Sequence, residues 1–208
     1  MTLIIGLTGG IGCGKSTALS YFSQHNVPTL DADQLAKELV SSPEKPAFQE
    51  IIRCFGSQIC TPNGLLNRHA LRQIIFNSPQ KRRQLEAILH PKVQQQIQQW
   101  PTQMHAPYGI VCIPLLFETG PYSIIHRKLA IDLPELLQIT RTIARDKTNS
   151  DLVKKIMAQQ INRYRRLALS DDIIDNRKDT QHLLKQVRHY HIRYQRLSRC
   201  HQQKALAK

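Results

Sequence analysis

The sequence predicts an α/β fold of three layers, with helices covering both faces of a five-stranded parallel sheet. Three observations predict it. Short apolar runs alternate with longer segments of helical periodicity over much of the 208 residues, the pattern of strand–helix–strand units. The first run, 3–7, passes through a glycine-rich turn straight into a helical pattern that begins near Ser16. The alternation stops between residues 41 and 108, where only helical patterns occur, and then resumes. The division that follows is a core of 1–40 with 109–208, and a helical insertion of 41–108.

The turn after the first strand, Gly9-Gly10-Ile11-Gly12-Cys13-Gly14-Lys15-Ser16-Thr17, fits G-x-x-x-x-G-K-[ST]. This is the phosphate-binding loop of P-loop NTPase-type folds, and the strand before it and helix after it supply the context the motif requires. Polyphosphate is bulky and multiply charged, so several backbone N–H groups must reach it together. Glycines keep side chains out of that approach, and the helix start adds N–H groups and the positive end of its dipole. Gly10, Ile11, Gly12, Cys13, Gly14, Lys15, Ser16 and Thr17 are therefore the expected nucleotide-binding residues. Lys15 supplies charge to the β- and γ-phosphates, and the Ser16 hydroxyl is placed to bind Mg²⁺. ATP is the expected co-substrate and Mg²⁺ the expected cofactor. The helix N-terminus is also expected to lower the pKa of the Cys13 thiol and make it reactive.

A second strand at 27–30 ends in Asp31-Ala32-Asp33. Ligands of doubly wound sheets sit beyond the carboxyl ends of the strands. Alternation puts Asp31 and Asp33 on one side if the strand continues. One carboxylate would then hold Mg²⁺ through water, and the other would accept a proton from an attacking hydroxyl. The plainer alternative is that Asp33 caps a helix at 34–40. The insertion reads as helices at 48–55, 68–76 and 79–100, with a turn at Asn63-Gly64 and a helix start at Ser78-Pro79. Pro91 disfavours α geometry at His90, which predicts a kink or two helices there. Arg68, Arg72, Lys81, Arg82 and Arg83 make the insertion basic, which suits either an anionic acceptor or a solvated face.

A third, buried strand is expected at 108–117 and a fourth at 128–132. A helix at 134–145 carries Arg141 and Arg145 one turn apart on the same face. A polar turn leads from it into a helix at 152–169 with Arg163, Arg165 and Arg166. Arginine-bearing helices joined by a flexible turn suit a lid, about 141–166, that closes guanidinium groups onto a transferring phosphoryl group. Surface ion pairing, as of Asp146 with Arg145 or Lys147, is the alternative. The fifth strand, 173–174, ends at Asp175-Asn176.

The net charge is +14, and the segment from Arg177 to Lys208 holds nine Lys and Arg against one acid, Asp179. More than half of the excess therefore lies in the tail. There Leu183, Val187, Tyr190, Tyr194 and Leu197 recur at helical spacing. That pattern suits a C-terminal helix at about 180–203 docked on the core with a solvated basic face, rather than a nucleic-acid or membrane contact. No apolar run approaches the ~20 residues of a membrane span, and no secretion signal is expected at the N-terminus. The five cysteines are odd in number and scattered, with no C-x-x-C pair, which fits reduced thiols in the cytoplasm. Neither N-K-x-D nor D-x-x-G is present, which argues against a GTPase.

In combination these segments resemble the dephospho-coenzyme A kinase family. Gly6-Leu7-Thr8-Gly9-Gly10-Ile11-Gly12-x-Gly14-Lys15-Ser16 is similar to its opening, and Asp31-Ala32-Asp33 to its aspartate pair. Leu66-Asn67-Arg68, His90-Pro91, Pro114-Leu115-Leu116-Phe117-Glu118, Arg141 with Arg145-Asp146, Gln160 and Asp171-Asp172-Ile173-Ile174-Asp175-Asn176 complete the order. The resemblance covers nearly the whole chain. It implies transfer of the γ-phosphate of ATP to the ribose 3′-hydroxyl of dephospho-CoA. By that reading Asp33 is the favoured base and Asp31 assists Mg²⁺ or orientation. Arg141 and Arg145 are lid arginines, and Asn176 is an adenine-side contact. Thr8, His90, Pro114, Leu115 and Leu116 lie along the acceptor site. Apart from the resemblance, a monomer or weak homo-oligomer is expected. Four positions depart from the pattern: Cys13 where Ser is usual, Lys155 for a common Arg, Ser170 for Ala, and Arg177-Lys178 where Gly is frequent. A kinase of another hydroxyl acceptor is the second reading, and a nucleic-acid-binding P-loop protein the third.

Overall fold

The computed structural model describes residues 2–206, which fall into two compact units. The first takes the residues up to Asp31 and those from Trp100 onward, and the second is Ala32–Gln99.

The first unit is built on five strands: β1 (Leu3–Gly9), β2 (Thr29–Asp31), β3 (Tyr108–Cys112), β4 (Arg127–Asp132) and β5 (Asp172–Asp175). All neighbours run parallel, in the order β2-β3-β1-β4-β5, so the predicted class and sheet hold. Every residue of β1 and β3 is buried, as apolar runs without alternation require of strands covered on both faces. Leu3, Ile5 and Leu7 point into a core shared with Phe22 of α1 (Lys15–Gln24) and with Leu183, Val187 and Tyr194 of α10 (Thr180–Leu206). Tyr190 and Leu197 pack at its margin, so the apolar stripe of the tail is the docked face. Among the described residues no helix is long and apolar enough to cross a membrane.

Helix α10 also reaches the outer edge of β5. The Tyr190 hydroxyl takes the Ile173 N–H at 3.3 Å and donates to the Ile173 carbonyl at 2.9 Å. The Gln186 amide does the same for Asp175, accepting at 3.0 Å and donating at 2.7 Å. Between them the buried Asp172 carboxylate accepts two bonds from Arg127, at 2.6 and 3.0 Å, and one from the Tyr194 hydroxyl at 3.0 Å.

The second unit packs α2 (Ala32–Glu38), α3 (Pro46–Phe55), α4 (Arg68–Asn77) and α5 (Pro79–Gln99) around Val40, Ile51, Phe55, Ile59, Leu71 and Leu85. The Asn67 side chain caps α4, accepting from the Ala70 N–H at 3.1 Å. The first unit is completed by α6 (Leu116–Thr119), α7 (Glu135–Asp146), α8 (Ser150–Met157) and α9 (Arg163–Ala168).

Four expectations are corrected. Strand β2 stops at Asp31 and α2 begins at Ala32, so strand alternation does not relate Asp31 to Asp33. Strand β3 stops at Cys112, before Pro114, which has no N–H for a ladder, and Leu116 opens α6. Helix α5 continues through Pro91, which excludes the two-helix form of that expectation. Burial of Leu85, Val93 and Ile97 on both sides of the proline outweighs its cost of about 3 kcal/mol. The segment 152–169 is two helices. Helix α8 ends in tightened turns, the N–H groups of Gln159 and Gln160 bonding back to Ile156 and Met157. Asn162 then caps α9 by accepting from Arg165 N–H at 2.8 Å.

Candidate functional site

The loop between β1 and α1 lies at the carboxyl end of the central strand. Its shape is set by contacts from beneath. Gly12 has φ +70°, and a Cβ there would stand 2.5 Å from the Thr142 hydroxyl and 2.8 Å from the Gln138 carbonyl of α7. Gly14 has φ +93°, and a Cβ there would collide with the Asn176 amide. Both positions therefore demand glycine for conformation and for space. Asn176 follows β5, is buried, and donates from Nδ2 to the Cys13 carbonyl at 2.8 Å. Its own N–H bonds to the Asp132 carbonyl, which ties the loop to the ends of β4 and β5. From the other side Gln160 accepts the Ile11 N–H through Oε1 at 3.1 Å.

Lys15 opens α1 and folds back along the loop, its ammonium donating to the carbonyls of Gly9 and Gly10 at 2.9 Å each. The first turn of α1 has neither an acidic residue nor a side-chain cap, so its positive dipole end is not neutralised locally. Ser16 and Thr17 are exposed there. This is a cationic, amide-lined rim suited to polyphosphate. Cys13 behaves otherwise than expected. Its side chain is fully buried in the sheet core, and a Cβ on Gly9 would stand 2.6 Å from its sulfur. Burial pushes the thiol pKa up, against the pull of Lys15. The sulfur faces the core, so desolvation overrides the helix terminus and the thiol is not activated.

Thr8 is buried at the end of β1 and donates to the Pro114 carbonyl at 3.2 Å, holding the turn after β3. Pro114 and Leu115 are half-buried and Leu116 is buried. Asp31 stands in register with Cys112, while Asp33 lies in the first turn of α2 and His90 is exposed on α5 in the other unit.

On α7, Arg145 is exposed and bidentate to Asp146 at 2.7 and 2.8 Å, which raises its pKa further. Arg141 is half-buried one turn earlier. Two arginines read from sequence as lid groups are held instead in the scaffold. Arg163 makes a bidentate pair with Asp132 at the end of β4, at 2.7 and 2.6 Å. Arg166 is buried and donates to the Ile161 carbonyl at 2.7 Å. A cavity of about 520 Å³ lies among α7, α8 and α9, lined by Gln138, Ile139, Met157, Gln160, Ile161 and Arg163 among others.

Sequence reasoning missed the braces beneath the loop. Gln138 and Thr142 are the buried face of α7, while Leu136 is 79% exposed. The polarity of that helix is the reverse of what burial by hydrophobicity predicts, so no periodic signal marked them. Gln160 was visible only as part of the resemblance.

The family model for dephospho-CoA kinase matches residues 3–204. A dephospho-CoA kinase of Hahella chejuensis is 45% identical over 197 residues, covering 95% of this chain and 94% of that protein. One of Nitrosomonas europaea is 43% identical over 202 residues, covering 97% and 99%. The solved structure of the Campylobacter jejuni dephospho-CoA kinase superposes with a TM-score of 0.65 at 26% identity, over 90% of this chain and 94% of that one. The match takes in the braced phosphate loop, the helical unit and the docked tail alike, and on that ground the chain belongs to the dephospho-CoA kinase family.

Proposed function

We propose that the chain transfers the γ-phosphoryl group of ATP to the ribose 3′-hydroxyl of dephospho-CoA, giving coenzyme A and ADP. The observation that carries this reading is the family match across residues 3–204, which includes the helical unit as well as the loop. Phosphoryl transfer through a loose transition state asks a protein mainly for positioning and charge neutralisation. The loop amides and the α1 terminus hold the β- and γ-phosphates, and Lys15 turns from the Gly9 and Gly10 carbonyls to their oxygens. Asn176 serves the nucleotide from beneath, by fixing the Cys13 carbonyl. Arg141 and Arg145 neutralise the transferring group as the lid closes, Arg145 exchanging Asp146 for phosphate. Asp33 accepts the proton of the attacking hydroxyl. Thr8, His90, Pro114, Leu115 and Leu116 serve the acceptor side, Thr8 by fixing the Pro114 carbonyl.

Ser16 and Asp31 are the residues that would hold Mg²⁺. A hydroxyl and a carboxylate oxygen are a donor set for a hard cation, which takes few protein ligands and completes its shell with phosphate and water. When bound, the ion would neutralise phosphate charge. Free thiols at all five cysteines suit a cytoplasmic setting.

A coupled assay of ADP release tests the reading, with dephospho-CoA, adenosine and nucleoside monophosphates as acceptors. Turnover is expected with dephospho-CoA. Its absence, with turnover on another acceptor, would transfer the chain to the second reading. Salt-sensitive RNA binding without any turnover would favour the third.

A further inference from the structure

The connector between α8 and α9 is gripped from three directions at two consecutive residues. The Gln160 side chain holds the Ile11 N–H of the phosphate loop at 3.1 Å. The Ile161 N–H donates to the Glu118 carboxylate of α6 at 2.6 Å, and Arg166 holds the Ile161 carbonyl at 2.7 Å. Helix α6 leads back to Pro114, whose carbonyl takes the Thr8 hydroxyl at the end of β1. Thr8, the loop, Gln160, Ile161, Glu118 and Pro114 thus form a closed circuit that begins and ends on the central strand.

We propose that Gln160 and Glu118 are positioning residues that couple occupancy of the phosphate loop to the turn of Pro114, Leu115 and Leu116. The coupling rests on placing the acceptor beside that turn, as in the proposed function. Its physical basis is the planar peptide between residues 160 and 161. The N–H that Glu118 holds belongs to the same plane as the Gln160 carbonyl, so a displacement of Gln160 tilts the donor. A hydrogen bond weakens steeply as its angle closes. Arg166 fixes the following peptide, so the connector cannot absorb the tilt by twisting beyond Ile161. Arg163, bound to Asp132, anchors the helix that follows. A shift of the Ile11 amide when phosphate binds is therefore passed to Glu118 rather than dissipated.

The sequence carries the parts at a distance. Glu118 closes Pro114-Leu115-Leu116-Phe117-Glu118, and Gln160 stands 42 positions later with Ile161 beside it. The circuit gives Gln160 and Glu118 a use: it reports occupancy of the loop to the turn of Pro114, Leu115 and Leu116.

The test uses ADP binding by calorimetry, steady-state kinetics with both substrates, and hydrogen exchange. Gln160→Ala and Glu118→Ala are each expected to weaken ADP binding about three- to tenfold, the loss of one hydrogen bond. Glu118 makes no loop contact of its own in this circuit, so its effect on ADP is the discriminating one. Glu118→Gln keeps an acceptor oxygen and should restore affinity to near wild type. The double variant should be no weaker than the weaker single one. Both variants should raise KM for ATP more than they lower kcat. In the wild type, ADP should slow exchange at 115–118 as well as in the loop, and Gln160→Ala should abolish the slowing at 115–118 alone. Unchanged ADP affinity in Glu118→Ala, multiplying effects in the double variant, or slowing at 115–118 that survives Gln160→Ala would each overturn the proposal. Should Glu118→Ala unfold, the exchange experiment on Gln160→Ala decides. Absent turnover of dephospho-CoA would sink the proposed function while leaving the ADP and exchange outcomes to judge the circuit.

Discussion

Asn176→Ala removes a side chain that joins the phosphate loop to the end of β5. Asn176 is 6% exposed and its partner Cys13 is fully buried, so water does not replace the lost donor at the Cys13 carbonyl. A buried acceptor left unmet costs about 1–3 kcal/mol. For a chain of this size that lowers Tm by roughly 2–12 °C. The loop also loses its fixed shape, and each 1.4 kcal/mol of reorganisation charged to binding weakens ADP about tenfold. Asn176→Asp should be worse than alanine, since it sets an acceptor against an acceptor at 2.8 Å. Thermal melts and ADP calorimetry on the three proteins measure both effects. If Asn176→Ala leaves Tm and ADP affinity unchanged, the residue pins nothing. If Asp is milder than Ala, donation to Cys13 is not what it does.

Lys15→Ala should lower kcat by roughly a hundredfold or more, as loss of a transition-state charge contact does; near-normal ADP release would refute its role. Asp33→Asn should cut kcat far more than it raises KM for ATP, and a pure KM effect would show that Asp33 only binds. His126 accepts the Ile4 N–H at Nδ1, at 3.0 Å, and burial, then the neighbouring His201, hold its pKa below the ordinary value. The unfolded chain therefore takes up the proton first, so this contribution is present above about pH 6.5 and is lost as pH falls through the folded value. Tm should decline from pH 7 toward 5, and His126→Gln, which keeps an acceptor, should flatten that decline; an unaltered slope counts against it. Iodoacetamide should modify the exposed Cys200 well before the buried Cys13, and fast labelling of Cys13 in the folded protein would contradict its burial.

The parts of this fold that were legible in the sequence are those set by local rules. The strand–loop–helix order follows from glycine spacing after an apolar run, and the docking face of α10 from the helical spacing of Leu183, Val187, Tyr190, Tyr194 and Leu197. The Ser78-Pro79 start of α5 is of the same kind. What was not legible was decided by tertiary packing. Pro91 reads as a break, yet the burial of Leu85 and Ile97 on either side keeps α5 whole. The end of α8 carries neither Gly nor Pro, so nothing local announces the connector that Gln160 and Ile161 form. Cys13 lies in a loop, where no period says whether a side chain faces ligand or core. At the site, the loop and its lysine could be named from spacing, whereas the braces from Gln138, Thr142 and Asn176 depend on which helix and strand end pass beneath.

The attachment of α10 to β5 bears on what this margin of the sheet offers to another chain. An outermost strand offers a row of unmet amides and carbonyls to which a foreign chain can add. Here the Tyr190 hydroxyl and the Gln186 amide occupy both backbone groups of Ile173 and Asp175, as an additional strand would. The tail thus serves as a surrogate neighbour that blocks strand addition at that margin. Truncation of α10 would do more than thin the core: it would uncover a template for aggregation, in a segment where Ile173 and Ile174 already have strong strand propensity.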